Sequence, residues 1–128
     1  MKTPAFDNLI AKMNASQKDF ITKLAEIHAD IVWDGGSPNT TPLRVSLKDK
    51  RKDKRWRNFA AINTRKSKYI LIFEFKSKDY NGSELKIVLT NHKIMDRAYN
   101  ISSINDIQAV SEILINIKSK YFFNLDTF

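Results

Sequence analysis

A chain of 128 residues with 42% hydrophobic content and fourteen aromatic side chains can close a core of its own and reads as one domain. It carries 22 Lys and Arg against 14 Asp and Glu, a net charge of +8. Having no cysteine, it cannot form a disulfide, a Cys-ligated zinc site, an iron–sulfur cluster or a thiol nucleophile.

The first thirteen residues lack a long apolar run and include Asp7, which argues against a signal peptide. No apolar stretch approaches the roughly 20 residues of a membrane span. The expectation is a soluble, cytoplasmic protein with no membrane partner. Thr3 and Pro4 form a helix start, with Thr as the cap and Pro in the first turn. Phe6, Leu9, Ile10 and Met13 then share a helical face. Ser16 and Asp19 make a capping-box pattern, so residues 4–31 read as a helix pair or as one kinked helix. Phe20, Leu24, Ile27 and Ile31 face inward on the second half. The run DGGSPN at 34–39 ends the helix, and Pro42 closes the loop. Gly35-Gly36 reads as a turn, because the Lys-Ser/Thr of a phosphate loop is absent.

From 43 to 48, Leu43, Val45 and Leu47 alternate with Arg44, Ser46 and Lys48, a half-buried strand with a basic outer face. Residues 49–55 are too polar for a strand and read as a charged hairpin tip. A second strand covers 56–63, and 64–68 is a short polar connection. The run YILIFEF at 69–75 is apolar on both faces until Glu74, as in a central strand. Asn81-Gly82 carries a hairpin signal leading into a strand with Leu85, Ile87 and Leu89. A short strand is expected near 99–101. Ser103 and Asp106 make another capping box, opening a helix over 104–121. Helices, an antiparallel meander of four to five strands and a C-terminal helix predict an α+β fold, with helices on one sheet face.

The residues RNFAAINTRKSKYILIFEF and NISSINDIQAVSEILINIKSKY, spanning 57–122, resemble a small uncharacterised α+β domain of bacteria. There a basic-aromatic strand passes through a polar hairpin to an apolar strand, and a Ser-rich cap opens a helix ending near a Tyr. The matching positions are Asn58-Phe59, Tyr69 to Phe73, Ser102-Ser103 with Asp106, and Tyr121. Such domains are often found in restriction or DNA-modification proteins, so the resemblance implies a nucleic-acid-related role. The insertion at 76–91 departs from the pattern, and no functional residue is carried over.

Charge is concentrated rather than spread. Residues 44–68 hold eleven Lys or Arg against Asp49 and Asp53, a local charge of +9, and the rest of the chain sums to −1. Such a patch is a candidate anion-binding surface. Lys50, Arg51, Lys52, Lys54, Arg55 and Arg57 can contact phosphates, and Trp56 can stack on a base. Arg44 and Lys48 extend the patch along one strand, and Arg65, Lys66 and Lys68 approach it from the next connection. The bland alternative is a solvated tip that aids solubility and discourages edge pairing. An acidic protein surface is the other partner such a loop fits, as in an inhibitor or accessory subunit.

Glu74-Phe75-Lys76 ends an apolar strand in the manner of restriction-endonuclease-like nucleases, where the Glu and an upstream Asp hold Mg²⁺ and the Lys steadies water. Here Asn63 and Thr64 stand on the preceding strand instead of Asp, and another strand rather than a helix is expected after Lys76. Glu84-Leu85-Lys86 repeats the pattern by chance. His28 and His92 lack ligand spacing, Glu26, Asp30 and Asp34 have no fixed geometry, and no metal or cofactor is expected. The aromatic tail 121–128 either covers the sheet or, if exposed, implies a partner or a homodimer. The sequence therefore favours a non-enzymatic nucleic-acid-binding module.

Overall fold

The computed structural model describes residues 1–36, 38–39, 42–49, 57–65, 68–80, 87–90 and 94–120. Helix α1 (Pro4–Ile10) starts as read, with the Thr3 hydroxyl accepting from the Phe6 amide at 3.1 Å. Helix α2 (Ala15–Ile27) is capped two residues earlier than Ser16 and Asp19 predict. Asn14 accepts from the Gln17 amide at 2.9 Å, and Gln17 accepts from the Asn14 amide at 3.1 Å. Tertiary contacts select this box. The Gln17 amide group also donates to the Ile70 carbonyl at 3.0 Å, and Met13 is buried just before the cap.

Residues 28–31 are not helical, although Ile31 fits the helical spacing. The chain turns at His28, whose carbonyl accepts from the Trp33 indole N–H at 2.9 Å. It then enters strand β1 (Val32–Gly35), where a loop was expected. A side-chain carbon on Gly35 would stand 2.7 Å from the Ala5 carbonyl oxygen, so glycine is what lets α1 lie directly on β1.

The remaining strands are β2 (Arg44–Asp49), β3 (Arg57–Asn63), β4 (Leu71–Phe75), β5 (Ile87–Leu89) and β6 (Arg97–Ile101). They form one six-stranded sheet in the order β1-β2-β3-β4-β6-β5, with every neighbouring pair antiparallel. The first four run as a meander. The hairpin expected from β4 into β5 does not form, because β4 pairs with β6 and β5 takes the edge. The apolar content explains the order. β6 buries Ala98, Tyr99 and Ile101, whereas Val88 and Leu89 of β5 are exposed. Asn81-Gly82 and Glu84-Leu85-Lys86 lie outside the described residues.

The last capping box forms as read. Asp106 accepts from the Ser102 and Ser103 amides at 2.7 and 3.1 Å and from the Tyr99 hydroxyl at 2.8 Å. Burial and this carboxylate together push the Tyr99 phenol up to about 12. A 3₁₀ turn (Ile104–Asp106) leads into α3 (Ile107–Lys118). The aromatic tail at 121–128 is outside the described residues.

Strand register assigns the two sheet faces. Trp33, Leu47, Ala60 and Phe75 form one row, and Val45, Ile62, Phe73 and Tyr99 the next. These pack with Phe6, Leu9, Phe20, Leu24, Val110 and Leu114 in a single core, so the three helices share that face. Each fully buried Phe or Leu there contributes about 1.5–3 kcal/mol. The opposite face carries Ser46, Lys48, Ala61, Asn63, Ile72, Glu74, Ala98 and Asn100, and no described helix covers it. Among the described residues no helix is long and apolar enough to cross a membrane.

Candidate nucleic-acid interface

Strand β2 sends Val45 and Leu47 into the core and leaves Arg44, Ser46 and Lys48 half-buried on the helix-free face. The β2–β3 ladder slips by one residue between Leu47, opposite Ala60, and Lys48, opposite Asn58. Such a bulge increases local twist. It leaves Phe59 without a rung and buried in the core. The last rung among the described residues is Asp49 with Arg57. Lys50, Arg51, Lys52, Lys54, Arg55 and Trp56 of the expected basic tip lie outside the described residues, as does Lys66.

The described cations are not equally available. Lys48 Nζ is 2.6 Å from Asp34 Oδ2, and Asp34 Oδ1 accepts from the Thr3 hydroxyl at 2.7 Å and the Gly35 amide at 2.9 Å. Burial alone would raise the Asp34 carboxyl, but Lys48, Thr3 and Gly35 outweigh it and hold it below the usual carboxylate range. Arg44 Nη2 lies 3.4 Å from the Met95 sulfur, a weak acceptor. Lys68 is exposed, with its ammonium 5.4 Å from the Tyr69 ring centre.

Arg65 leads to the least expected feature of this face. Glu74 is fully buried. Its Oε1 accepts from the Asn63 amide N–H and from Arg65 Nη2 at 3.3 Å. The Arg65 backbone N–H in turn donates to Asn63 Oδ1 at 3.1 Å. Among the described residues, Glu74 Oε2 is buried with no hydrogen-bond partner. Alternation along β4 could have shown that Glu74 faces away from Phe73 and Phe75. Nothing in the sequence shows that this face would be dry at that point.

This geometry does not reproduce the nuclease pattern. Asn63 and Arg65 occupy the surroundings of Glu74 where a second metal-binding carboxylate would stand. Among the described residues no group of three or more His, Cys, Asp or Glu is placed to hold a metal ion. Lys76 follows β4 and lines a separate shallow groove with Ser77, Lys78, Ile94 and Asp96. The chain then turns at 77–79 rather than starting a helix.

His28, which lacks any partner in sequence spacing, has two in space. It is 2% exposed, with Nε2 2.6 Å from Ser111 Oγ and Nδ1 3.1 Å from Lys118 Nζ. Lys118 also reaches Asp30 at 2.7 Å. An ammonium only donates, so Nδ1 accepts and Nε2 carries the proton toward Ser111. The ring therefore has no free lone pair with which to activate the serine. Burial, then Lys118, lower the imidazole to about 4 against the opposing pull of Asp30. The cluster joins the end of α2 to α3. His92 is outside the described residues.

No protein-family model, curated protein or solved structure matches the chain.

Proposed function

We propose that this protein is a non-enzymatic nucleic-acid-binding module that meets phosphates with its β2–β3 hairpin. The observation that carries the reading is the register of that hairpin. Within the described residues its pairing runs as far as Asp49 and Arg57, so the intervening residues 50–56, with five Lys or Arg against Asp53, are joined to a six-stranded sheet at both ends. A charge cluster anchored in this way loses less conformational entropy on binding than a free basic arm. Arg44 and Lys68 extend the cationic surface, and Trp56 supplies a stacking group. Phosphate contacts position a protein without reading sequence, so binding is driven by charge and shape. A role beside DNA-modification enzymes is part of the same proposal and rests on the resemblance over 57–122.

The test is binding to single- and double-stranded DNA and RNA at two salt concentrations, for the wild type and an Arg55/Trp56/Arg57→Ala variant. Binding that weakens steeply with salt and is lost in the variant supports the hairpin. Undetectable binding at low salt ends the proposal, and binding that survives the triple substitution moves the site elsewhere.

A further inference from the structure

Antiparallel pairing brings the basic hairpin and a second basic segment to the same end of the sheet. Leu47, Ala60, Phe75 and Arg97 lie in one row across β2, β3, β4 and β6. Past that row β2 and β3 lead into residues 50–56, and β4 leads into a turn at 76–79 that holds Lys76 and Lys78. The turn is closed by the Asp79 amide, which donates to the Lys76 carbonyl at 3.0 Å. It is pinned from two sides. Asp96, just ahead of β6, accepts from the Ser77 amide at 2.9 Å and from the Ser77 hydroxyl at 2.8 Å. Lys120, just past α3, lies 3.6 Å from the buried Asp79 and donates to the Lys78 carbonyl at 2.5 Å.

We infer that this turn is a second phosphate-binding segment, with Lys76 and Lys78 meeting the same nucleic-acid backbone that the hairpin meets. The inference rests on the nucleic-acid reading and extends its surface from β2 and β3 to β4. Charge availability is the first ground. Lys78 is exposed and Lys76 half-buried, and among the described residues neither takes part in an ion pair, unlike Lys48 and Arg65. An unpaired cation can give up its counterion to a phosphate without first leaving a carboxylate. The two lysines line a shallow groove with Ser77, Ile94 and Asp96. The acid in that groove is already engaged, since Asp96 holds Ser77 and its Oδ2 lies 3.1 Å from Arg97 Nη1. Position is the second ground. Neighbouring strands lie about 4.8 Å apart, so the turn after β4 stands beside the root of the hairpin at β3. Phosphates follow at about 3.4 Å along each strand of a duplex, so one backbone covers both segments within a few nucleotides. The third ground is order. The bonds to Asp96 and Lys120 fix the turn's backbone before any ligand arrives, which lowers the entropy lost on binding.

The test is filter binding of single- and double-stranded DNA to the full chain across a salt series, comparing Lys76→Gln/Lys78→Gln with Lys12→Gln/Lys18→Gln. Each variant loses two cations, so the two carry the same net charge. Lys12 and Lys18 are exposed on either side of the Asn14–Gln17 cap, and Gln17 reaches Ile70 at the other end of β4. The turn variant should lower the slope of log K against log salt by about two, one for each lysine that meets a phosphate, and the cap variant should keep the wild-type slope. If the turn variant is destabilised, Lys78→Gln alone, at an exposed position, should lower the slope by about one. Equal losses in the two double variants overturn the inference and leave net charge as the cause. An unchanged slope in the turn variant overturns it too, while the hairpin proposal stands if Arg55/Trp56/Arg57→Ala still loses binding. A slope lowered by the turn variant, with binding that survives the hairpin variant, would support the turn and remove the hairpin. Undetectable binding by the wild type at low salt overturns both.

Discussion

Asn63 decides what Glu74 can do. Its amide N–H donates to Glu74 Oε1, and its own oxygen is held by the Arg65 backbone. An aspartate at this position would turn a donor into a like charge in a buried site. Asn63→Asp is expected to cost about 3 kcal/mol at neutral pH and to regain much of that as the pair shares a proton in mild acid. Urea unfolding at pH 7 and pH 5 reads this directly, and a midpoint that ignores pH would contradict the buried contact. His28 gives a second pH signature, of known sign. Its folded value is lowered from 6.5 to about 4, so the fold favours the neutral ring. Its contribution is fully present above 6.5. As pH falls from 6.5 toward 4 the unfolded chain takes up the proton first, and stability is lost, on the order of 3 kcal/mol in all. Comparing urea midpoints of the wild type and His28→Gln across that window should show a flatter slope in the variant. A wild-type slope matched by the variant would mean that other groups carry the acid sensitivity.

At the scale of elements, local chemistry was legible and partner choice was not. Thr3-Pro4 and Ser103 with Asp106 cap the helices they were expected to cap, because each satisfies orphan amides within one turn. Residues 14–19 contain two overlapping capping boxes, and local pattern cannot rank them. The Gln17 bond to Ile70, 53 residues away, tips the balance toward Asn14. Asn14→Ala should therefore lower stability by about 1 kcal/mol, and Ser16→Ala, inside the first turn, by much less. Thermal unfolding of the two variants tests this, and equal losses would return the cap to Ser16. Strand β1 was hidden because Val32-Trp33 is short and runs into DGGSPN, which signals a turn. Its pairing with β2 and its contact with α1 come from distant residues. The exchange of β5 and β6 has the same origin, since burial of Tyr99 and Ile101 sets the order and no turn signal records it. Glu74 was noticed for its spacing to Lys76, but its dry setting depends on Asn63, Arg65 and Ala98, which come from three separate segments.

For the whole molecule, net charge overstates what is available to a polyanion. Among the described basic residues in 44–68, Lys48 is bound to Asp34 and Arg65 to Glu74, so these two are neutralised within the fold. A cation already paired releases few counterions when a phosphate approaches, because the competing carboxylate must first be left behind. The salt dependence should therefore sort these residues by pairing rather than by position in the patch. Lys48→Gln should leave the slope of log K against log salt nearly unchanged. It should instead lower stability and bring the Asp34 carboxyl back toward its ordinary value, since Lys48 is the strongest of the donors that depress it. The Arg55/Trp56/Arg57→Ala variant should reduce the slope by about two, one for each arginine that meets a phosphate. Filter binding across a salt series, alongside urea unfolding of both variants, separates the two effects. A slope that drops with Lys48→Gln would show that phosphate outcompetes Asp34 and that β2 itself lies in the binding surface.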